Sequence, residues 1–525
     1  MEINCLMNSF YPKSNSFRRR IGNRNSFWAW NHQEATVINC LNKASAKIDC
    51  GHCGMKLERP LEMSSVTPHQ NSFIAKASES TEQLIDDPVK EKKGTVVGAV
   101  ALIIGTTIGS GILALPKKTS PAGFIPSATC MIVCWGFHLI EALLLAEINV
   151  GLRNNKKRQG EDGPVEIISI RTMAQETLGQ WAGTLATITY IFLAYTSLVA
   201  YTSKSGEILS HLINLPISVS GVFFTLFFTL LISVGGTHLT DRINQWLTAF
   251  MIGLLVVIEV IAALSGGWSG LSSTADWARV PATVPVIIFS LVYHDLAPVI
   301  CTYLGGDLTR IRVSVVLGSL VPLVALLVWD AVALGLSQSA DGIDPVDLLM
   351  RVEWHGVSAM VEGFSLLAVG TSLIGTMLGF SQFFEEHLTN LSLPSPSTES
   401  LQEKLDGTES GYFGLRNWWG SNKVNFMATV MVVAPPILIS TTVPDAFSTA
   451  TDFAGGYCMT MLFGVLPPAM AWAMHSKSCH GSNSNGGEDG RKVLSAAKPV
   501  LLAVGLFACG IVMEQILQDL SVLHS

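Results

Sequence analysis

The chain has 525 residues, of which 49% are hydrophobic and only 14% are charged, and its mean hydropathy is +0.42. A soluble protein of this length carries about 25% charged residues, so the composition predicts a membrane protein with several spans. The formal net charge of −7 gives no sign of a surface for nucleic acid, and we expect no nucleic-acid partner.

The first ninety residues have a different composition from the rest. Up to Gln33 the only acidic residue is Glu2, and the basic residues there are Lys13, Arg18, Arg19, Arg20 and Arg24. No apolar core of about 7–15 residues follows, so the segment is typical of an organellar transit peptide rather than a secretory signal. We expect a disordered transit peptide at 1–77 and a polar segment at 78–93, with a disordered cytosolic tail as the alternative.

A lone CxxC at Cys50 and Cys53 lies in this leader. A structural zinc site needs four ligands, and no second cysteine pair stands at a suitable spacing. We expect no metal and no cofactor.

Eleven apolar runs near twenty residues, the length that crosses a bilayer, follow in chain order. They are Gly94–Leu115, Ala122–Ile148, Trp181–Ser203, Ile217–Gly236, Gln245–Leu264, Ala282–Gly305, Val313–Leu336, Val357–Phe384, Val424–Val443, Ala446–Met474 and Val493–Ile516. These runs are too long and too apolar for strands, so the fold class is all-α, a polytopic membrane protein. The split at Pro444 and Asp445 is open to a second interpretation, a re-entrant turn.

Basic residues predict the orientation. Loops on the side of the N-terminus hold fourteen Lys and Arg residues and the opposite loops hold five, which places the N-terminus in the cytoplasm-like compartment. The transporter domain covers 94–516, with a first half at 94–264, a second half at 282–474 and an accessory helix at 493–516. A polar loop is expected at 385–423. Because each half has five spans, the second half enters the membrane from the opposite side, which is the topology of an inverted repeat.

The first run is interrupted by the sequence GTTIGSGILALP, which begins at Gly105. Lipid cannot satisfy free backbone groups, so a break at membrane depth is tolerated only in a cavity or within protein. Freed amides at the start of a half-helix favour a carboxylate, and glycine permits close approach of a ligand. The candidate residues for the substrate carboxylate are Thr106, Thr107, Ile108, Gly109, Ser110 and Gly111. The alternative is that Gly105 and Gly109 form a helix-packing GxxxG motif.

The sixth run carries PVIIFSLVYHDLAP, from Pro285 to Pro298. Asp295 is predicted to cap a new half-helix with Pro298 in its first turn. Carbonyl groups freed before that cap suit an ammonium group, and we expect Ser290, Tyr293 and His294 to contact the substrate. The alternative for His294 is a histidine satisfied by an interior hydrogen bond. Paired interrupted spans in two halves of a chain indicate a transporter's substrate site.

These two phrases, together with TSLIGTMLGFSQF at Thr371–Phe383, resemble the hydroxy and aromatic amino acid permeases. The likeness is to the tyrosine- and tryptophan-specific bacterial branch and its plant plastid relatives, and it covers roughly residues 94–516. The resemblance implies the five-plus-five inverted repeat of the amino acid–polyamine–organocation superfamily, with discontinuous first and sixth helices. It also implies secondary transport of aromatic amino acids, usually coupled to protons. The basic leader and the long loop near 385–423 depart from the bacterial pattern.

Candidates for ion coupling fall in two groups. Thr371 and Ser372 stand where members of the superfamily hold sodium, and ordinary back-bonding to the preceding helical turn is the alternative. For a proton, the candidates are Glu141, with His138 at i−3, and Glu147, which also fits a position at the interface end of its helix. Glu362 and Asp452 are secondary candidates.

The interpretation is therefore a proton-coupled carrier of tyrosine, tryptophan or phenylalanine, with the amino acid and membrane lipid as its partners. The alternatives are a sodium-coupled carrier of other neutral amino acids, a channel, and a membrane-embedded enzyme. An enzyme would need a catalytic cluster and a channel would need a repeated filter motif, and the sequence shows neither. The leader favours the plastid inner envelope membrane, with the mitochondrial inner membrane and the plasma membrane as alternatives.

Overall fold

The computed structural model describes residues 94–158, 167–264, 275–337, 356–392, 413–480 and 498–524. Within these ranges every regular element is a helix. The expected transit peptide, the polar segment at 78–93 and the CxxC pair lie outside the described residues.

The α-helices in chain order are α1 (Val96–Thr107), α2 (Gly111–Thr119), α3 (Phe124–Arg158), α4 (Ile170–Leu178), α5 (Gln180–Ile213), α6 (Ile217–Leu264), α7 (Val284–Leu291), α8 (Ala297–Tyr303), α9 (Leu308–Ser337), α10 (Val357–Ser392), α11 (Phe413–Thr442), α12 (Ala446–Phe453), α13 (Leu466–His480) and α14 (Lys498–His524). Two 3₁₀ helices, Trp277–Thr283 and His294–Leu296, flank α7. A π-helix, Ala454–Val465, joins α12 to α13.

Eleven membrane spans account for all of these helices except the short α4. Ten stretches are long and apolar enough to cross a bilayer, and the bent pair of α1 and α2 makes an eleventh. We number the spans in chain order: the first is α1 with α2, the second α3, the third α5, the fourth Ile217–Thr237, the fifth Leu239–Leu264 and the sixth Trp277–Tyr303. The seventh is α9, the eighth α10, the ninth α11, the tenth Ala446–Ser476 and the eleventh α14. The predicted all-α class with about eleven spans is confirmed.

The fourth and fifth spans are joined without a loop. The interval between the predicted runs, from Gly236 to Gln245, is helical apart from Gly236 itself, whose non-helical torsions (φ 64°, ψ 179°) form a kink inside α6. Such a torsion suits glycine because it has no Cβ. The split near Pro444 is a turn between two separate spans, with Asp445 at a φ of 48°.

The segment expected as a polar loop at 385–423 is helical at both ends. Helix α10 continues to Ser392 and α11 begins at Phe413, so helix covers 385–392 and 413–423. Residues 393–412 lie outside the described part of the chain.

Burial separates a central group of spans from a peripheral group. In the most apolar window of each span, 83% of residues are buried in the sixth, 67% in the eighth and 61% in the tenth. The fourth, fifth, ninth and eleventh spans are only 17–28% buried, and they present their apolar side chains outward, as lipid contact requires. The central spans therefore surround the place where the interrupted helices lie.

The tenth span contains a long π-helix where it meets the sixth. Inside it, the Thr460 hydroxyl donates to the carbonyl of Gly455, five residues earlier, at 2.7 Å. Gly455 packs directly against the carbonyl oxygen of Pro285, and a Cβ atom at Gly455 would overlap that oxygen. The tenth span therefore contacts the sixth backbone to backbone. π-Helices are rare and are often found at functional sites.

Candidate functional site

The first span is broken at residues 108–110, which we call the first break. Helix α1 ends at Thr107, Ile108 is extended (φ −78°, ψ 102°), and α2 begins at Gly111. The axes of α1 and α2 differ by 55°. The predicted interruption of the first helix is confirmed.

The two threonines before the first break face their own helix. The hydroxyl of Thr106 donates to Leu102 O at 2.9 Å and that of Thr107 donates to Ile103 O at 2.8 Å. Thr106 is exposed, whereas Thr107 and all residues through Gly111 are buried. Because both hydroxyls already donate to their own helix, the free polar groups here are the main-chain groups of the first break and not the threonine side chains.

The sixth span is broken at Val292 and Tyr293, which we call the second break. Helix α7 ends at Leu291, Val292 is extended (φ −71°, ψ 135°), and the turn His294–Leu296 leads into α8. The predicted capping role of Asp295 is wrong. Asp295 lies inside the 3₁₀ turn, and no side chain caps either that turn or α8. Pro298 lies in the first turn of α8 as expected.

The two breaks touch each other. The Ser290 hydroxyl lies 2.8 Å from the carbonyl oxygens of both Gly111 and Val286 and donates to them. A Cβ atom at Gly111 would lie 2.9 Å from Ser290 Cα, a backbone atom that cannot rotate away. Glycine at 111 is therefore required by the close approach of α2 to α7.

The eighth span closes the first break from another side. The backbone N–H of Ser110 donates to the Ser372 hydroxyl at 3.1 Å, and a Cβ atom at Gly109 would lie 2.8 Å from the same oxygen. The neighbouring Thr371 hydroxyl instead donates to Ala368 O at 3.2 Å, with Met251 Sδ at 3.7 Å. Of the two predicted hydroxyls, only Ser372 faces the break, and Thr371 back-bonds as in the alternative.

One residue of the site was missed in the sequence. Tyr201 of the third span is 8% exposed, and its phenol is surrounded by the hydroxyl groups of Ser110, Ser197 and Thr376. The signal available was a tyrosine among small and hydroxylated residues, SLVAYTSKS, in an apolar run. Such residues are also common at packed helix interfaces, so the pattern alone did not identify the site.

The half-helix ends give the site its polarity. Ser110 makes no side-chain capping bond at the start of α2, so the first amides of α2 present a partial positive charge. The last carbonyls of α7, before Val292, present a partial negative charge. Ser110 and Ser290 are 1% and 2% exposed. A buried positive helix end and a buried negative helix end therefore lie side by side.

Ionic contacts hold the C-terminal end of the first span. Lys118 pairs with Asp452 of the tenth span, and Lys117 pairs with Asp445 at 3.0 Å. The Thr119 hydroxyl donates to Asp330 Oδ1 of the seventh span at 2.6 Å. Asp452, a secondary coupling candidate, is therefore already engaged by a cation.

The remaining coupling candidates differ in their surroundings. Glu147 pairs with Arg312 of the seventh span at 2.5 Å and is part-exposed, which fits the end of its helix. Glu362 is half-buried in the second turn of α10. Glu141 is fully buried and lies next to two histidines.

Glu141, His138 and His294 form a compact buried cluster, which we call the His–Glu–His cluster. Glu141 Oε2 lies 3.7 Å from His138 Nδ1 and 3.9 Å from His294 Nε2. Donor atoms of the three side chains lie within 4.8 Å of one another, and among the described residues no second group of His, Cys, Asp and Glu is as compact. The cluster is small enough to share a single cation, and it joins the second span to the residue that follows the second break.

Sequence comparison agrees with this architecture. Residues 92–392 and 412–490 match the tryptophan/tyrosine permease family. The chain belongs to this family. Membership in the tryptophan/tyrosine permease family makes the protein a multi-pass amino acid transporter and not an enzyme. The matched residues cover both halves of the described core.

Similar proteins of the permease family are bacterial. The chain is 23% identical to the tyrosine-specific transport system 2 of Haemophilus influenzae over 72% of this chain and 88% of that protein. It is 24% identical to the low affinity tryptophan permease of Escherichia coli K12 over 73% and 88% of the two chains. The crystal structure of MhsT in complex with L-phenylalanine has 14% identity, a TM-score of 0.52, and covers 79% of this chain and 98% of that chain. This likeness shows the shared fold.

Proposed function

We propose that the protein is a secondary active transporter of aromatic amino acids that works by alternating access and is coupled to protons. One observation carries the proposal: two interrupted helices from opposite halves of the chain meet at Ser290 and Gly111. The positive end of α2 fits the substrate carboxylate and the negative end of α7 fits its ammonium group. A zwitterionic amino acid matches both.

Several contacts support binding of the amino acid backbone at the first break. Ile108, Gly109 and Ser110 provide main-chain groups outside regular helix, and Tyr201 and Ser372 add hydroxyls beside them. On this proposal the carboxylate binds at Gly109–Gly111, while the ammonium group binds near Ser290 and Tyr293. Thr106 and Thr107 contribute through their backbone, because their hydroxyls already donate to their own helix.

The choice of an aromatic substrate is supported by the relatives. Family members similar to this chain are named for transport of tyrosine or tryptophan, and MhsT, which shares the fold, was solved with L-phenylalanine. A second candidate is transport of another neutral amino acid with sodium coupling. Its change of substrate is supported by 26% identity to the glutamine transporter 2 of Aliivibrio fischeri over 54% of this chain. Ser372 at the first break is the residue that a sodium site would use.

The test is uptake by the full-length chain in proteoliposomes. Labelled tyrosine, tryptophan and phenylalanine are offered with an imposed pH gradient, with a sodium gradient, and with neither. We expect accumulation under the pH gradient, with the acidic compartment on the side of entry, and competition by other aromatic amino acids among the twenty tested. Failure of folded protein to accumulate any amino acid would overturn the proposed function. Accumulation driven by sodium alone would favour the second candidate.

Gly109→Leu supplies an internal control for the site. The larger side chain would occupy the space in front of Ser372, because even a Cβ atom at Gly109 lies 2.8 Å from its hydroxyl. We expect the variant to fold and to lose uptake. Normal uptake by Gly109→Leu would instead support the alternative in which Gly105 and Gly109 form a helix-packing motif.

For location, we propose the inner envelope membrane of a plastid. Support comes from the acid-poor, basic composition of the leader, where Glu2 is the only acidic residue up to Gln33. A fusion of residues 1–93 to a fluorescent protein tests this directly in plant cells. Signal in plastids supports the proposal, and signal in mitochondria or at the plasma membrane contradicts it.

A further inference from the structure

We propose that the His–Glu–His cluster is the site that binds the transported proton, with Glu141 as its acceptor. This inference rests on the proposed transport function and deepens it by naming where the coupling ion binds. The cluster is built from the second span, which supplies His138 and Glu141, and from the sixth span, which supplies His294.

Burial is the first argument. Glu141 and His294 are 0% exposed and His138 is 1% exposed. Within the described part of the chain, neither oxygen of Glu141 and neither ring nitrogen of His138 has a hydrogen-bond partner. A charged carboxylate buried without hydrogen bonds is strongly unfavourable, and binding of one proton removes that penalty because it neutralises the group. Ionisable groups at membrane depth are expensive and mark proton pathways in transporters.

Distances within the cluster give the second argument. His294 Nε2 lies 3.0 Å from the carbonyl oxygen of His138; since a carbonyl only accepts, Nε2 carries the hydrogen and donates it. Glu141 Oε2 lies 3.7 Å from His138 Nδ1, beyond hydrogen-bond distance of roughly 3.2 Å. A proton on Glu141 would supply the missing donor, and a movement of about 1 Å would complete a hydrogen bond to that nitrogen.

The other groups that face Glu141 do not supply a permanent positive charge. Its own helix adds Cys134, and the sixth span adds Tyr293 beside His294. The tenth span presents Phe463, whose ring stacks on His294, and Gly464, at which a Cβ atom would lie 3.1 Å from Glu141 Oε1. The eleventh span reaches the same position of the tenth span through Ala508. No Lys or Arg is among these described neighbours, so a mobile proton is the cation that balances Glu141.

A metal ion fits the cluster less well than a proton. Zinc binds nitrogen and oxygen ligands at about 2.0–2.1 Å, which holds two tetrahedral ligands roughly 3.4 Å apart. The nitrogen–oxygen distances of the cluster are 3.7 and 3.9 Å, and His294 Nε2 is already occupied by a carbonyl group.

The position of the cluster explains how a proton would act on the substrate site. His294 directly follows the second break, and Ser290, which contacts Gly111, lies four residues before it, in the last turn of α7. Phe463 and Gly464 belong to the π-helix of the tenth span. Protonation of Glu141 would neutralise the charge that faces both His138 of the second span and His294 of the sixth, and the second break would transmit the resulting shift of His294 to Ser290. Proton binding on one side and release on the other then drives net transport without any chemical change.

The transport test uses the full-length chain in proteoliposomes with labelled tyrosine. We compare Glu141→Gln with Glu514→Gln, a control carboxylate that is exposed on the accessory helix and accepts a hydrogen bond from Gln518 at 3.0 Å. Glu141→Gln should lose pH-driven accumulation at least tenfold more than it loses tyrosine exchange at equal pH, and Glu514→Gln should lose neither. Asp330→Asn tests a second buried carboxylate. Retained pH-driven accumulation in Glu141→Gln, or its loss in Asp330→Asn alone, would overturn the proposal while leaving the transport function intact.

Infrared spectroscopy tests the site without transport, and it decides the question even if no amino acid moves. In the full-length protein with ¹³C-labelled glutamate and a chelator present, a pH step should produce the carbonyl band of a protonated glutamic acid. That band should be missing from Glu141→Gln, present in Glu514→Gln, and shifted in His138→Gln, which serves if Glu141→Gln does not fold. The proposal is contradicted if the band persists in Glu141→Gln, or if the band does not shift in His138→Gln. Loss of uptake on chelation with recovery on adding zinc would identify a metal site instead.

Discussion

Both breaks interrupt a membrane helix with extended backbone, but their side chains differ in chemistry. The first break consists of Ile108, Gly109 and Ser110, none of which titrates. The second break is followed by His294 and Asp295 and begins at Val292. The difference teaches that an interrupted helix can present main-chain dipoles alone, or dipoles together with ionisable groups. In our proposal the first break recognises the substrate and the second connects it to the proton.

The largest expected effect tests whether the breaks must touch. In Gly111→Ala the added Cβ atom would lie 2.9 Å from Ser290 Cα, and relief requires movement of the backbone. Overpacking of this kind costs about 3 kcal/mol, so we expect about a hundredfold loss of initial uptake. Gly109→Ala should lose less, because it meets the end of the Ser372 side chain, which can rotate.

Gly105→Ala is the matched control for this pair. The nearest atom to its added Cβ is Thr248 Cγ2 at 3.5 Å, an ordinary contact, and uptake should stay within about twofold of wild type. If Gly105→Ala and Gly111→Ala lose uptake equally, the close approach of the two breaks has no special role, and the glycines serve general packing.

A smaller effect is expected at the hydrogen bond that joins the breaks. Ser290→Ala removes the donor to Gly111 O and should weaken the contact by about 1 kcal/mol, about a fivefold rise in KM for tyrosine. Ser314→Ala is the control, because its hydroxyl also back-bonds in a membrane helix, to Arg310 O at 2.9 Å, but in the seventh span. Equal KM values for wild type and Ser290→Ala would show that the breaks are held by shape alone.

The smallest effect concerns Tyr201, whose phenol lies beside Ser110 of the first break. Tyr201→Phe removes the phenol beside Ser110 while keeping the ring. We expect about a threefold rise in KM, corresponding to roughly 0.6 kcal/mol, within the range for one polar contact. The change should disappear when competition is measured with tyrosine methyl ester, which lacks the carboxylate. An equal change for acid and ester would place Tyr201 at the substrate side chain instead.

Both interruptions could be predicted from the sequence because the signals are local. Gly105, Gly109 and Gly111 fall within seven residues of an apolar run, and Pro285 and Pro298 bracket the other. Length and hydropathy of the runs were sufficient to predict eleven spans, since both depend on composition rather than on contacts. The connection after Gly236 was harder, because a single glycine at a positive φ separates two helices without a loop between them.

Contacts between distant segments were beyond the sequence. The i−3 spacing of His138 and Glu141 was visible, but the approach of His294 across 156 residues was not. Asp295 had the residue type of a cap, yet the 3₁₀ turn takes it past the capping position. Glu147 and Asp452 had the chemistry of coupling residues, but each found an oppositely charged partner in another span. Which carboxylates are paired depends on packing, and packing is not written in one stretch of residues.

The π-helix of the tenth span has a consequence for comparing this protein with its relatives. Each α-helical residue turns the chain by about 100°, so removing one residue between Ala454 and Val465 would rotate Phe463 and Gly464 away from Glu141. Hydropathy would hardly change. A relative with a one-residue gap at this place would therefore align well in every apolar run, and still offer a different side chain to the carboxylate. Such a gap is the place to look for members that couple to another ion.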